Sequence, residues 1–512
     1  MRWLPAVVAG AAASLPVASL AFAQAIPERP EELRFAPSVF EPPRISGLRF
    51  ELGNGLPVYV VADRGLPLVD IVLVLPVGDR DEEPGEEGLA SMTAAMARRG
   101  GAGDLGPEAL DDEIDALGAR IESRSSWART VLVLDSGSEA LDRGLELLAS
   151  VVFEPRFDEE RLAQARENLR VSLLARADDP RSVLDREWLR LVHGPESPRS
   201  RQLTEGSVAA LERDALARFH RRHWRPEGAV IAASGDVEVE ELVARLDELF
   251  GGWSAPSPEA DRKTEVSAEE VSAEEEATDG ASDVGAASPG WWIIDRPGAQ
   301  AAVAIGHRGA VFDSWDHPDR WALMLLTELL DGPGTVSRLR SRLQLEEGLT
   351  YRVLTYFDLD VAPVAPAAVG PPGRSTGEFR VFLETAPESA AAAAAVVLEE
   401  LVRLRRDDVP EAEMATARRS LLSRLPLLFD RAESIAGRYT EDELLGRPHE
   451  YWSTYRQRLL AVSAVDVRRA ARRFLDTGGV ALLVVGDGNA VRGGGGFEEL
   501  RRALGPPRAV DR

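Results

Sequence analysis

The first half of the chain combines short apolar runs with longer stretches of helical periodicity. The segment FELGNGLPVYVV is typical of two strands joined by a tight turn at Asn54-Gly55. The segments LPLVDIVLVLPVG and RTVLVLDS predict two more strands, the first of them largely buried. Apolar residues at helical spacing predict two amphipathic helices, one through Leu110, Ile114, Leu117 and Ile121 and one through Leu141, Leu145 and Leu148.

A longer helix is predicted from about Asp158 to Ala177, where the sequence Asp-Asp-Pro ends it. Strands and helices mix here without regular β-α-β alternation. The predicted fold class is therefore α+β, with a mostly antiparallel sheet and helices packed against it.

Two pairs of segments indicate that this domain is duplicated. QARENLRVSLL, from Gln164, corresponds to TARRSLLSRLP, from Thr416, at an offset of 252 residues. RPEGAVIAASGDV and DTGGVALLVVGDG both run from a glycine through a buried strand to Gly-Asp, at an offset of 251 residues. Two separate matches at nearly the same offset predict two homologous halves.

The segment between the halves has a different composition. Residues 254–290 carry ten acidic and two basic residues and no aromatic residue, so they cannot bury enough apolar surface to fold. We interpret them as a disordered acidic linker. The predicted organisation is a signal peptide at 1–23, an extension at 24–44, domains at 45–253 and 291–490 around this linker, and a tail at 491–512.

The N-terminus indicates export. Arg2 precedes an alanine-rich apolar stretch that ends in Ala21-Phe22-Ala23, the pattern of a cleaved secretory signal. The alternative is an uncleaved membrane anchor, although the apolar run is short and interrupted by proline. Almost all basic residues are arginine, as in GC-rich bacterial genomes. We therefore expect a periplasmic protein of a Gram-negative bacterium, with no membrane span after signal cleavage.

Composition and motifs exclude several kinds of chemistry. The net charge of −25 disfavours nucleic acid as a partner, and the lack of cysteine excludes thiol catalysis and Cys-ligated zinc. No His-Glu-x-x-His, Gly-x-Ser-x-Gly or phosphate-loop motif is present. His220 and His223 could share a helical face, but the surrounding arginines favour a basic helix C-terminus over a metal site. RGGGGF, from Arg492 to Phe497, is interpreted as a flexible connector.

Several ordered blocks over roughly residues 45–490 resemble the pitrilysin/insulinase (M16) peptidases. They include the Asn54-Gly55 turn, Gly78 after the third strand, the GLA at the start of the next helix, and RFHRRHWRPEGAVIAASGDV. In the second half, DRPGAQAAVAIGHRG and LLDGPGTVSRLRSRLQLEEGLTYRV are similar to the C-terminal domain of that family. The resemblance implies two homologous halves that form a clamshell around a peptide.

The resemblance also implies where a zinc site would lie. Active members carry an inverted motif, His-x-x-Glu-His, directly after GLA, and a third ligand, a glutamate, on a later helix. The matching positions here are Ser91, Ala94 and Ala95, and Ser172 follows after 76 intervening residues. Serine and alanine provide neither a strong zinc ligand nor a general base, so this chain is expected to bind no zinc and to have no catalytic residue.

The peptide-binding elements of the family are partly kept. The family uses an arginine and a tyrosine, seven residues apart, to contact peptide backbone, and Gln344 and Tyr351 match them. Tyr351 is equally compatible with a strand tyrosine in local packing. A glycine-rich loop before Ser-Arg-Leu is matched by Asp331–Thr335, which contains Gly332 and Gly334, although turn geometry alone also explains these glycines.

These observations favour a non-catalytic, peptide-binding subunit that closes the chamber of a partner M16 peptidase carrying the zinc. A heterodimer with that homologue is expected, or a homodimer. The second hypothesis is a stand-alone peptide-binding or scaffold protein without a peptidase partner. The third is an active peptidase with atypical metal ligands.

Overall fold

A computed structural model of the chain describes residues 40–254, 288–309, 312, 314–332, 337–359 and 377–508, except for the side chains of 175–178. The segment Pro42–Arg512 forms one compact unit. The predicted signal peptide, almost all of the predicted extension and linker, and Gly334 lie outside the described residues. Ser288 and Gly290, at the end of the predicted linker, are described, and Gly290 begins a strand.

The predicted turn at Asn54-Gly55 joins the first two strands. Gly55 has a φ of +86°, a left-handed conformation that favours glycine. The Asn54 side chain donates to the carbonyl groups of Phe250 and Trp253, at 2.9 Å each, so the turn is fixed to the end of a helix nearly two hundred residues later.

The described strands of the first half form a six-stranded sheet with the order β1-β2-β6-β3-β5-β4. Neighbouring strands are antiparallel except for β2 and β6, which are parallel. The strands are β1 (Arg49–Glu51), β2 (Pro57–Ala62), β3 (Leu68–Leu75), β4 (Arg120–Ser125), β5 (Thr130–Gly137) and β6 (Val230–Gly235).

The second half repeats this arrangement in a five-stranded sheet with the order β7-β11-β8-β10-β9. Again one neighbouring pair, β7 and β11, is parallel and the others are antiparallel. The correspondence confirms the predicted α+β class and the two homologous halves. The strands are β7 (Gly290–Asp295), β8 (Ala301–Arg308), β9 (Thr350–Phe357), β10 (Glu378–Thr385) and β11 (Ala481–Gly486).

Helices cover the sheets and are numbered here in chain order. Those of the first half are α1 (Leu89–Arg99), α2 (Pro107–Ala116), α3 (Leu141–Phe153), α4 (Glu159–Asp178), α5 (Pro180–His193), α6 (Glu205–Ala210), α7 (Arg213–His223) and α8 (Val239–Phe250). Those of the second half are α9 (Pro318–Asp331), α10 (Ala390–Arg406), α11 (Glu411–Arg424), α12 (Ala432–Leu444), α13 (Tyr451–Ala461), α14 (Ala464–Phe474), α15 (Gly488–Gly493) and α16 (Phe497–Leu504). A helical segment, Arg338–Arg340 and Ser341–Glu346, lies between α9 and β9.

The halves exchange one helix each. Helix α5 packs on β8 and β11 of the second sheet, where Leu184 and Trp188 join a buried cluster with residues such as Leu483. Helix α12 packs on β2 and β6 of the first sheet, and its Tyr439 ring stacks on Tyr59 with centroids 6.2 Å apart. Each half therefore completes the apolar packing of the other.

A carboxylate lies beside each exchanged helix, buried in the case of Glu378 and half-buried in the case of Glu443. The Trp188 indole donates to Glu378 of β10 at 2.6 Å, and His193 Nε2 lies 3.6 Å from the same carboxylate. The Tyr59 hydroxyl donates to Glu443 of α12 at 2.5 Å, and Arg49 pairs with this carboxylate at 3.1 Å. Removing one partner of such a hydrogen bond leaves the other polar group without its partner in a partly or fully buried place, which is costly.

Two local predictions are wrong. Ile121 lies on β4 and not on a helix, because α2 ends at Ala116 and Gly118, with a φ of +60°, turns the chain. The glycines of RGGGGF are not a loose connector. A Cβ atom at Gly494 would lie 2.0 Å from the carbonyl oxygen of Glu388, so Gly494 is tightly packed against the segment that precedes α10.

Among the described residues, no helix is both long enough and apolar enough to span a bilayer.

Candidate functional site

The helix that begins within GLA is α1, and its start is fixed by two residues. Gly88 has a φ of +93°, and a Cβ atom there would lie 2.6 Å from a methyl group of Leu203, so glycine is required. The buried carboxylate of Glu82 accepts hydrogen bonds from the backbone N–H groups of Gly88 and Ala90, at 3.1 and 2.8 Å. A carboxylate at a helix N-terminus stabilises the helix through its exposed N–H groups and dipole.

The two faces of α1 have different environments. The buried face packs into the core of the first half through Leu89, Ala90, Met92, Thr93, Ala94, Met96 and Ala97. The other face carries Ser91, Ala95 and Arg99, which are four residues apart and therefore lie in one row along the helix.

This row lines a cavity of about 730 Å³. Helix α4 forms another wall through Ala165, Asn168, Leu169 and Ser172, whose spacing places them on one helical face. The volume lies within the range of about 300–1,000 Å³ that is typical of ligand pockets. The remaining lining residues are Asp79, Glu82, Glu87, Gly88, Met92, Trp127, Leu189, Pro198, Arg199, Arg201 and Leu203.

Backbone contacts hold the turn with Asp79 against the turn with Trp127. The N–H of Asp79 donates to the carbonyl of Ser126 at 3.1 Å, and the N–H of Arg80 donates to that of Trp127 at 3.0 Å. A Cβ atom on Gly78 would lie 2.0 Å from the Ser126 carbonyl oxygen, so only glycine permits this close approach.

Burial changes the acidity of two carboxyl groups in the cavity. Burial raises the pKa of Glu82 to about 7 and outweighs the hydrogen bonds from Ala90 and Gly88, which favour the charged form. Burial also raises the pKa of Asp79, against the opposing effect of a hydrogen bond from the Ser91 hydroxyl at 3.3 Å.

The structure brings three of the four matched positions together. Ser91 and Ala95 of α1 and Ser172 of α4 line the same cavity. The fourth, Ala94, points away into the core and is fully buried.

Sequence reasoning missed Asp79 and the other lining residues. The acid-rich segment GDRDEEPGEEG before α1 was an available signal, whereas nothing in PRSRQL marked its arginines.

The described residues matched to peptide binding are in the second half and do not line this cavity. Tyr351, on the edge strand β9, has a side chain that is 95% exposed, which excludes the alternative of a tyrosine held in local packing. The Gln344 side-chain amide donates to the backbone carbonyl of Tyr351 at 2.5 Å. Gly332 follows the last turn of α9, and its N–H donates to the carbonyl of Glu328 at 2.7 Å.

His220 and His223 are held by local contacts within the first half. Nε2 of His220 lies 2.8 Å from the carbonyl oxygen of Val152, and burial lowers the pKa of this imidazole. Burial lowers the pKa of His223 to about 4, and its ring packs on Phe219 with centroids 4.5 Å apart. Over the described ranges, no group of three or more His, Asp or Glu side chains is placed to hold a metal ion.

Two family models match the chain over most of its described length. One, described as insulinase (peptidase family M16), matches residues 58–187, and the other, described as the peptidase M16 inactive domain, matches residues 210–421. Both models represent the same family, and together they span both halves. The chain belongs to the M16 peptidase family.

Individual similar proteins agree with this assignment. An uncharacterized zinc protease of Mycobacterium tuberculosis is 28% identical over 367 residues, which cover 71% of this chain and 76% of the relative. A peptidase M16 inactive domain from Pseudomonas fluorescens has a similar fold, with a TM-score of 0.69 at 20% identity over 86% of this chain and 97% of that chain. A chain of complex III2 from Candida albicans matches with a TM-score of 0.64 at 16% identity, over 91% and 100% of the two chains.

The side chains present do not fit a zinc ion of the M16 type. Such a site needs imidazole nitrogens and a carboxylate oxygen as ligands. Ala95 offers no donor atom, and the hydroxyl groups of Ser91 and Ser172 are poor ligands at neutral pH. Ser91 in addition uses its hydroxyl in the hydrogen bond to Asp79.

Proposed function

We propose that this M16 homologue is a non-catalytic, peptide-binding subunit that works with a zinc-bearing M16 chain in the periplasm. The observation that carries the proposal is the cavity beside α1. Its walls persist, whereas Ser91, Ala95 and Ser172 stand at the three positions matched to metal ligands. A folded cavity that lacks the family's imidazole and glutamate ligands can hold a peptide without the zinc-bound water molecule that cleavage uses.

The second half supports a role in peptide binding. The Tyr351 ring is almost fully exposed, although burying an aromatic side chain is normally favourable. It stands on β9, whose outer edge has no further strand among the described residues. A tyrosine in this position is available to a peptide, whereas Gln344 supplies an uncharged donor where an arginine would give a stronger hydrogen bond.

A partner chain supplies the zinc in this proposal. The similar proteins include chains named zinc proteases and, by fold, a chain of complex III2, so this fold occurs both in chains named as peptidases and in a component of a larger complex. The likeness to the complex III2 chain supports the second hypothesis, a scaffold without a peptidase partner. Periplasmic export is proposed from the signal pattern at residues 1–23.

Mixing experiments with a purified M16 homologue that carries His-x-x-Glu-His distinguish these hypotheses. The proposal predicts a one-to-one complex in size-exclusion chromatography with light scattering, and faster cleavage of a fluorogenic peptide than by the homologue alone. A stable homodimer with no effect on cleavage would favour the scaffold. Cleavage by this chain alone, abolished by a chelator, would show atypical metal ligands instead.

A further inference from the structure

The cavity beside α1 contains three arginines without an acidic partner. In the described part of the chain, Arg99, Arg199 and Arg201 line the cavity and form no ion pair with a carboxylate. Arginines close by behave differently, since Arg98 pairs with Asp111 at 2.6 Å and Arg222 with Glu83 at 3.1 Å. The chain has 85 acidic and 60 basic residues, so a shortage of carboxylates does not explain the unpaired group.

Two of these side chains are held in place. The Arg199 guanidinium lies over the Trp127 ring, 5.4 Å from its centroid, which restricts its rotamers. One terminal nitrogen of Arg201 donates to the backbone carbonyl of Glu82, and this leaves its other N–H groups available. Arg99 is exposed in the last turn of α1, where the helix dipole favours a positive charge.

The three carboxylates of the cavity already have hydrogen-bond donors. Asp79 accepts from the Ser91 hydroxyl, Glu82 accepts from the first N–H groups of α1, and Glu87 accepts from the N–H of Gly85 at 2.9 Å. The guanidinium groups are therefore the positively charged donors of the cavity, and none of these carboxylates pairs with them.

We infer that the cavity recognises a carboxylate of the bound peptide through Arg199 and Arg201, with Arg99 at its rim. Guanidinium groups bind carboxylates through paired, charge-assisted hydrogen bonds, and this favours acidic peptides over neutral ones. The inference rests on the proposed peptide binding and specifies its ligand class. The carboxylate comes either from an aspartate or glutamate side chain or from the peptide C-terminus.

Fluorescence anisotropy with the purified full chain tests this inference. The probes are a labelled alanine-serine peptide with glutamates and its twin with glutamines, each with a free or an amidated C-terminus. The glutamate peptide should bind at least about tenfold more tightly than its twin, equivalent to about 1.4 kcal/mol. If amidation alone weakens binding, the C-terminal carboxylate is the one recognised.

Variants of the arginines provide the second arm. Arg199→Gln and Arg201→Gln should each weaken binding of the acidic peptide about tenfold or more, with unchanged thermal unfolding. The matched control is Arg406→Gln, which removes an exposed charge paired with Asp407 and should leave affinity unchanged. Equal affinity for all peptides and variants would overturn the carboxylate inference and leave peptide binding standing. No binding of any probe would overturn both.

Discussion

The Ser91 hydroxyl donates a hydrogen bond of 3.3 Å to the carboxylate of Asp79, at the position where zinc-bearing relatives are expected to place an imidazole. This contact joins the first turn of α1 to the turn that follows β3. The polar group at this position is thus used within the protein itself. A cavity of ligand size lies beside it, so space for a ligand is present although the matched positions lack zinc-ligand atoms.

Ala94→Glu is expected to destabilise the chain, because Ala94 is fully buried within the core of the first half. An unpaired carboxylate at such a site costs about 3 kcal/mol of unfolding free energy. Ala95→Glu is the matched control, since Ala95 lines the cavity and water can reach its side chain. Urea unfolding of both variants measures the difference. Equal stability would show that α1 does not bury Ala94 in this way.

Glu82 should make stability depend on pH. Its pKa in the folded chain is about 7, above the ordinary value of 4.5, so between these values the folded chain holds a proton that the unfolded chain has released. The free energy of unfolding therefore falls as pH rises from about 4.5 to about 7, by about 3 kcal/mol in total. A neutral side chain at this position would show no such loss. Urea unfolding at pH 5 and pH 8 should show this loss in the wild type and not in Glu82→Gln. An equal loss of stability in the wild type and in Glu82→Gln would contradict the raised pKa of Glu82.

Neighbouring glycines in RGGGGF should respond differently to alanine. Gly494→Ala places a methyl group on the Glu388 backbone and should cost about 1–3 kcal/mol. Gly495→Ala meets no atom within 4 Å and should change stability by less than about 0.5 kcal/mol. Thermal unfolding of the two variants compares them directly. A neutral effect at both positions would restore the prediction of a flexible connector.

Substitutions of two tyrosines should affect different properties, peptide binding in one case and stability in the other. Tyr351→Phe should leave unfolding unchanged, because its hydroxyl is exposed, and should reduce the stimulation of a zinc-bearing partner. Tyr59→Phe should lower the free energy of unfolding by about 1 kcal/mol, because it removes a buried donor to Glu443. If Tyr351→Phe left the stimulation intact, the tyrosine would have no part in peptide binding.

Local patterns were enough to predict much of the fold. The Asn54-Gly55 turn, the strand before Gly78 and the duplicated order of elements follow from periodicity and turn chemistry. The helix predicted from about Asp158 to Ala177 is α4, Glu159–Asp178. The exchange of α5 and α12 between the halves could not be predicted, because an apolar helical face indicates burial but not which sheet buries it.

The residues of the cavity could likewise be predicted only in part from the sequence. The resemblance placed Ser91, Ala95 and Ser172 near one another, and they share one cavity. Arg199 and Arg201 reach it from a turn far along the chain, and no sequence pattern connects them with α1. Their lack of acidic partners is a three-dimensional property, visible only once the neighbouring side chains are placed.

The zinc content of the purified chain, prepared without a histidine tag, tests the central claim most directly. The triple variant Ser91→His, Ala95→His and Ser172→Glu provides the positive control, because it restores two imidazoles and a carboxylate around the cavity. Elemental analysis should find about one zinc ion per chain in the triple variant and almost none in the wild type. Stoichiometric zinc in the wild type would contradict a non-catalytic subunit.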